Sequence, residues 1–345
     1  MTKKVLITGG AGFIGSNVAK RCLDRGESVT VLDDLSRPSA PLNLAWLRTQ
    51  AGGELDFVQA GVTDQGAVDA AIAGADVVYH LAAQTAVTIS VQDPVLDFET
   101  NLRGSLVVLE AARRLAPDAA LIFSSTNKVY GDLESAALRE EETRYVYADG
   151  RSGIDESEAL SFHSPYGCSK GGADMYFQDY HRIYGLNTVV FRQSCIYGPR
   201  QFGVEDQGWV AWFAIKGLLD GRLNVYGDGK QVRDLLHVDD LMDAYDLAIE
   251  HLAVAGGKAY NIGGGAENSL SIWREFGPLL ERAMGRTMDI TFRDWRPGDQ
   301  KVFISDNRRV MADLGWRPAV PVEDGIRALV DWLQQHRELV ETLNA

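Results

Sequence analysis

Short apolar runs and helical-period stripes alternate along the first two-thirds of the chain. The runs are Lys4 to Ile7, Ser28 to Leu32, Leu55–Val58, Val77–Leu81, Leu121–Ser125 and Thr188–Arg192. Lys4 to Ile7 is a short apolar run of the kind that makes a buried parallel strand. Between them the pattern predicts helices at about Phe13 to Asp24, Gln65–Ala73, Asp97–Leu115 and Tyr166–Tyr184. Strand–helix–strand repetition of this kind gives an α/β fold, a doubly wound parallel sheet with helices on both faces.

From Gly198 the pattern changes. Pro199-Arg200-Gln201 and Gly227-Asp228-Gly229 are loop signals. Helices are expected at Trp209–Leu219 and Asp239–His251 with a hairpin between them, and a strand at Lys258–Ile262 should rejoin the main sheet. Two more helices follow Leu270, with the loop Trp295-Arg296-Pro297-Gly298-Asp299. The expected organisation is a first domain of 1–197, with 236–262 rejoining it, and a smaller, discontinuous C-terminal lobe of 198–235 and 263–345. Leu133 to Ala159 is acidic, turn-rich and far longer than an ordinary βα loop. It reads either as a lid beside a site or as a solvated surface excursion.

The first strand runs into Thr8-Gly9-Gly10-Ala11-Gly12-Phe13-Ile14-Gly15. Gly9 permits a tight turn, Gly12 a close approach of backbone to a pyrophosphate, and Gly15 close packing of the helix that Phe13 and Ile14 open. The unpaired N–H groups at that helix start, with roughly half a positive charge, suit a diphosphate. This is the turn of a Rossmann-type dinucleotide site. Asp33 and Asp34 end the second strand, where a carboxylate accepts the adenosine ribose hydroxyls and repels a 2′-phosphate. NAD is therefore favoured over NADP, with nearby Arg37 as the one residue that could serve a phosphate. Asp64 follows the third strand and could meet the adenine edge. Leu81, Ala82 and Ala83 end the fourth with small residues, which either let a cofactor pass or simply pack.

Tyr166 and Lys170 are one helical turn apart and share a face. A phenol near pKa 10 must lose about three pH units, roughly 4 kcal/mol, to serve as a base at neutral pH. A neighbouring ammonium and a positive nicotinamide ring can supply that. The phenolate then takes a hydroxyl proton while hydride leaves the same carbon. Thr126, at the carboxyl end of the fifth strand, is the expected partner for the reacting oxygen, with Ser125 as the alternative.

Composition narrows the partners. The chain has 345 residues, 46% hydrophobic and 24% charged, and a net charge of −14. That acidity speaks against nucleic acid and anionic membranes, so any phosphate must be met by local cations. No apolar stretch reaches membrane length and no signal-peptide pattern is seen. Cys22, Cys168 and Cys195 are scattered, and no metal motif is present. A cytoplasmic protein with reduced thiols and no metal is expected.

Taken together, these segments resemble the extended short-chain dehydrogenase/reductase family of nucleotide-sugar epimerases and dehydratases. The resemblance spans nearly the whole chain: T-G-G-A-G-F-I-G, H-L-A-A from His80, Asn101, S-S-T, Y-x-x-x-K, Tyr197-Gly198-Pro199-Arg200, Arg233-Asp234 and Arg296-Pro297-Gly298-Asp299. It implies retained NAD, catalysis by Thr126, Tyr166 and Lys170, and a nucleotide-sugar substrate held by Thr126, Asn127, Arg200, Arg233 and Arg296. It also implies a homodimer formed through the Asn101 and Tyr166 helices. Dehydratases of the family carry an acidic pair where this chain has Asn127-Lys128, which argues against loss of water. The family's usual Asn after the sixth strand is replaced in Arg192-Gln193-Ser194-Cys195-Ile196-Tyr197-Gly198. The combination is most similar to family members that invert C2 of a CDP-sugar. A UDP-hexose or UDP-uronate 4-epimerase is the alternative, and a non-catalytic dinucleotide-binding sensor or scaffold is the alternative of another class.

Overall fold

The computed structural model describes residues 2–50, 52–133, 136–295 and 300–344. The chain divides into two units. The first comprises Met1–Val129, Ser164–Arg192 and Ala244–Tyr260, and the second Tyr130–His163, Gln193–Asp243 and Asn261–Ala345.

The first unit is built on β1 (Lys4–Thr8), β2 (Ser28–Asp33), β3 (Glu54–Gln59), β4 (Val77–His80) and β5 (Ala120–Thr126). With the strands Asn187–Gln193 and Ala259–Ile262 they form a seven-stranded sheet. Its order is Ala259–Ile262, Asn187–Gln193, β5, β4, β1, β2, β3. The β1–β2, β1–β4, β2–β3 and β4–β5 pairs are all parallel, as an apolar sheet covered on both faces requires. Leu6, Val78, Leu121 and Phe123 pack on one face against Val108 and Ala112 of the helix Gly104–Leu115 and Phe177 of the helix Ser164–Tyr184.

The helix expected over Asp97–Leu115 is three pieces: Pro94–Phe98, a π-turn Glu99–Arg103, and Gly104–Leu115. The extra residue of a π-turn re-aims one side chain. Here Asn101 is buried and donates to the Gln84 carbonyl, Asp97 Oδ1 and Ser169 Oγ at 3.0, 3.0 and 3.2 Å. Ser105 Oγ meets the Asn101 carbonyl at 2.5 Å.

The second unit departs most from expectation. The segments Arg222–Tyr226 and Val232–His237 are strands, but they do not form a hairpin with each other. Arg222–Tyr226 pairs in parallel with Asp289–Arg293. Val232–His237 pairs with Cys195–Tyr197, Ser269–Ser271 and Val302–Phe303. Gly227 and Gly229, both left-handed at φ +80 and +78°, make the turn that was read, but the strands it joins enter different sheets. After Leu270 there are four helices among the described residues, not two: Phe276–Met284, Arg308–Leu314, Val322–Gln335 and Arg337–Asn344.

The 133–159 excursion is no free loop. It lies within the second unit, so the first unit is interrupted after Val129, resumes at Ser164 and runs to Arg192. Its hairpin, Leu138–Glu140 with Tyr145–Tyr147, is tied down by Arg144, which donates to both oxygens of Glu275 at 2.6 and 2.8 Å and to the Ser269 carbonyl at 3.0 Å. Ile154 exchanges backbone hydrogen bonds with Ile304 and Asp306. These ties fix it as a strap across the unit. No helix among the described residues is long and apolar enough to cross a membrane.

Candidate active site

The glycine turn is built by contacts that allow no side chains. Gly9 is left-handed at φ +68°, and a Cβ there would sit 2.7 Å from the Ala82 backbone. A Cβ on Gly15 would lie 2.2 Å from the Gly9 carbonyl oxygen. So Gly15 packs against the turn itself, and position 9 has no room for a side chain beside the Ala82 backbone. Gly12 precedes the helix Phe13–Asp24 in extended conformation, and no side chain caps that helix. Its first N–H groups therefore lack an intrahelical partner. Such an uncapped terminus behind a glycine cradle fits the pyrophosphate of a dinucleotide.

Asp33 closes the same cradle. Its Oδ2 accepts the Ala11 N–H at 3.0 Å and its Oδ1 the Leu35 N–H at 2.9 Å. Burial raises its pKa despite those bonds. A carboxylate has about four lone-pair sites, so two remain for ribose hydroxyls. Asp34 accepts the Ser36 N–H at 2.9 Å. Arg37 is bonded to the Thr85 hydroxyl. Asp64 is the N-cap of Gln65–Ile72, accepting the Ala67 N–H at 3.0 Å. Leu81 and Ala83 flank Ala82 on the loop leaving β4.

Tyr166 and Lys170 belong to the buried stripe of the helix Ser164–Tyr184, which continues through Ala173, Phe177 and Tyr180. The packing that holds the helix on the sheet is therefore the packing that aims both side chains. Phe177 stacks on Phe123 at 4.4 Å between centroids, and the Lys170 ammonium lies 4.3 Å from the Phe123 ring centre. Thr126 ends β5, and its buried hydroxyl acts on the Tyr166 phenol in the sense that favours the phenolate. Ser125 is committed elsewhere, donating to Asp174 Oδ2 at 2.7 Å. Asn127 is buried one residue beyond Thr126, whose hydroxyl lies 3.4 Å from Asn127 Oδ1.

Burial pushes the Tyr166 phenol up to about 12, with the Thr126 hydroxyl opposing and Asp97 adding to the rise. It pulls Lys170 down to about 7, with Asp174 and Asp97 opposing. Bringing a phenol from about 12 to neutrality takes roughly 7 kcal/mol. That exceeds the demand set by an unburied tyrosine. One cation about 4 Å away supplies roughly 4 kcal/mol at an effective dielectric near 20, so two are needed.

Several participants escaped the sequence reading. Asp174 is fully buried and holds Arg192 through Nε at 2.9 Å and Nη2 at 3.1 Å. An Arg inside an apolar strand was the available signal, since buried charges require partners. His80 is stacked against Phe123 and Phe177, bonded to Thr8 Oγ1 at 2.8 Å and Ser105 Oγ at 2.9 Å, and pulled down to about 3 by burial, hence neutral. Four non-glycine residues among those described have left-handed backbone: Leu35 after Asp34 and Ser164 ahead of Tyr166 in the first unit, and Leu133 and Arg200 in the second.

In the second unit Arg200 is buried, lies 5.7 Å from the Trp332 ring centre, and is pulled down to about 10 by burial. Arg233 is buried on Val232–His237 and donates to the Val232 carbonyl at 2.8 Å. Arg296 lies outside the described residues. Among the described residues no cluster of His, Cys, Asp or Glu is placed to hold a metal.

The sequence profile of the NAD dependent epimerase/dehydratase family matches residues 5–263. The chain belongs to that family. This epimerase/dehydratase relative is 45% identical over 336 residues to CDP-paratose 2-epimerase of Salmonella typhi, covering 95% of this chain and 98% of that one. Its fold is similar to a double mutant of the dTDP-glucose 4,6-dehydratase DesIV of Streptomyces venezuelae, crystallised with NAD (TM-score 0.83, 30% identity, 98% and 99% coverage). It is also similar to UDP-glucuronic acid 4-epimerase of Bacillus cereus in complex with UDP-glucuronic acid and NAD (TM-score 0.82, 27% identity, 96% and 99% coverage).

Proposed function

We propose that this protein is an NAD-retaining nucleotide-sugar epimerase that inverts C2 of a CDP-sugar. The observation that carries the reading is the grouping of buried Thr126 with Tyr166 on the buried stripe that also holds Lys170, in a chain 45% identical to a CDP-paratose 2-epimerase. The glycine cradle, the uncapped helix start and Asp33 would hold NAD, with Leu81, Ala82 and Ala83 on the loop beside Gly9. When bound, NAD supplies a hydride acceptor and, once reduced, a hydride donor. Thr126 orients the sugar hydroxyl, Tyr166 takes its proton, and the same Tyr166 returns the proton after the keto sugar presents its other face. Asn127 sits where it can bond the sugar, and Arg200, Arg233 and Arg296 are the cations for the diphosphate. Asn127-Lys128, in place of an acidic pair, argues against loss of water.

A panel of CDP-, UDP- and dTDP-sugars tests this by NMR of the products. A CDP-sugar inverted at C2 is expected, with NAD(H) released on heating the protein. Inversion at C4 of a UDP-sugar would favour the alternative epimerase, a 4-keto-6-deoxy product would overturn the absence of dehydration, and turnover of no sugar with dinucleotide bound would favour a sensor. We also propose a homodimer. Val95, Phe98, Met175, Tyr176 and Ile183 are exposed apolar side chains on the helices Pro94–Phe98 and Ser164–Tyr184, and a second copy burying them is the expected occupant. Sedimentation should give a dimer that Met175→Glu dissociates. A monomeric parent protein contradicts it.

A further inference from the structure

Both nitrogens of the buried His80 ring are hydrogen-bonded, and the partners' own bonds decide which way each proton points. Ser105 Oγ has one proton, which goes to the Asn101 carbonyl at 2.5 Å, because a carbonyl can only accept. Toward His80 Nε2, 2.9 Å away, Ser105 must therefore accept. Nε2 carries the ring proton. A neutral imidazole has one N–H, so Nδ1 is bare and accepts the Thr8 hydroxyl at 2.8 Å. Thr8 Oγ1 in turn accepts the Ala82 N–H at 3.3 Å. The result is one directed chain: Ala82 to Thr8, Thr8 to His80, His80 to Ser105, and Ser105 to Asn101.

The chain closes on itself. Asn101 grips the Gln84 backbone twice: its Oδ1 accepts the Gln84 N–H at 2.9 Å and its Nδ2 donates to the Gln84 carbonyl at 3.0 Å. The loop leaving β4 is thus held at Ala82 by Thr8 and at Gln84 by Asn101, and His80 links the two anchors. This loop carries Leu81, Ala82 and Ala83. Gly9 of the glycine turn lies so close that a Cβ on it would be 2.7 Å from the Ala82 backbone. The His80 ring stacks on Phe123 of β5 and Phe177 of the helix Ser164–Tyr184, while β1 and the helix Gly104–Leu115 present the two hydroxyls. The cation beside them is Lys170, 4.3 Å from the Phe123 ring centre. Burial and that ammonium both oppose a second proton on the imidazole.

We propose that His80 is a positioning residue for the dinucleotide: as its Nε2–H tautomer it joins the anchors of Ala82 and Gln84 into one closed ring of bonds, and so fixes Leu81–Ala83 beside the glycine turn. The same chain ends on the π-turn, whose Asn101 also donates to Ser169 on the helix of Tyr166 and Lys170. Without the link each anchor stays in place but acts alone, and the loop between them is less ordered. A loop ordered in advance lowers the entropy that binding must supply. Loss of the link therefore appears in NAD affinity and not only in stability. The proposal rests on the NAD-binding part of the epimerase reading; the direction of the hydrogen bonds does not.

The chain has six histidines, so the His80 ring nitrogens can be followed by 15N NMR in the full-length protein and assigned by their loss in His80→Gln. Nε2 should carry the proton and Nδ1 stay bare between about pH 5 and 8, where an unperturbed imidazole changes charge. A proton on Nδ1, or a ring that titrates in that range, overturns the proposal. NAD affinity is the second measurement, by equilibrium dialysis well below the melting temperature. Ser105→Ala removes the acceptor of the His80 proton and should weaken NAD binding about tenfold, equivalent to about 1.4 kcal/mol. Ser105→Thr, whose hydroxyl can still reach the carbonyl four residues back, should bind NAD as the parent does. Thr8→Val breaks the chain at its other end and should match Ser105→Ala, so the test does not depend on one variant folding. Variants that melt lower yet bind NAD as tightly as the parent would show a merely structural chain and overturn the proposal. Neither measurement involves a sugar, so the epimerase reading can fail while this one stands.

Discussion

Tyr166→Phe should lower kcat by at least about 10²–10⁴-fold, the range general-base catalysis supplies, while the affinity for the nucleotide sugar stays within a few-fold. Phe keeps the ring on the buried stripe with Ala173 and Phe177 and removes only the phenol oxygen. The Thr126 hydroxyl keeps the Lys128 N–H that it accepts at 3.2 Å, so folding should be little affected. An interaction made chiefly in the transition state is lost from kcat and kcat/KM alike. Rapid-mixing kinetics with direct binding measurements separate the two. A loss below tenfold, or one residing wholly in KM, contradicts the assignment of Tyr166 as the base.

Gly15→Ala should weaken NAD binding by about a hundredfold, equivalent to about 2.7 kcal/mol. The added Cβ would lie 2.2 Å from the Gly9 carbonyl oxygen and 2.7 Å from the Gly10 Cα. No real contact is that short, so the turn must be displaced from the helix start, and overpacking of this kind costs about 1–3 kcal/mol of stability. Gly9 is itself left-handed, with no room for even a Cβ between it and the Ala82 backbone. Gly66→Ala is the matched control. It sits in the helix Gln65–Ile72, where the nearest atom to a new Cβ is Asp64 Oδ1 at 3.6 Å. That change should leave NAD binding intact and raise stability by about 0.5–1 kcal/mol. Calorimetric binding and thermal melts of both variants decide the matter. Equal NAD affinities for the two would contradict the turn's role as the phosphate cradle.

The first unit was legible because its information is local. The central strands β1, β4 and β5 are short apolar runs, helices follow the strands in sequence, and the glycine turn and Tyr166–Lys170 are fixed by spacing along one segment. The second unit was not, because its strands pair with distant partners. Arg222–Tyr226 finds Asp289–Arg293, and Val232–His237 finds three strands spread over more than a hundred residues. A turn at Gly227–Gly229 reveals that the chain changes direction, not where it goes. The candidate site divides in the same way. Thr126 over Ser125 is decided by Asp174, which occupies the serine's hydroxyl from 49 residues away. The demand on the base was understated because burial of Tyr166 is a property of the packed stripe and not of the tyrosine. Asp97 and the π-turn were invisible because a helical stripe reads the same with or without one inserted residue.

Epimerisation of the CDP-sugar in deuterated water is the most direct test of the central claim. Tyr166 exchanges only a hydroxyl proton in this account, and the hydrogen on the inverted carbon leaves and returns as hydride without meeting solvent. NMR and mass spectrometry of the product should therefore show no deuterium at C2. Deuterium incorporated at the inverted carbon would mean direct proton abstraction from carbon, and hydride transfer would have to be abandoned.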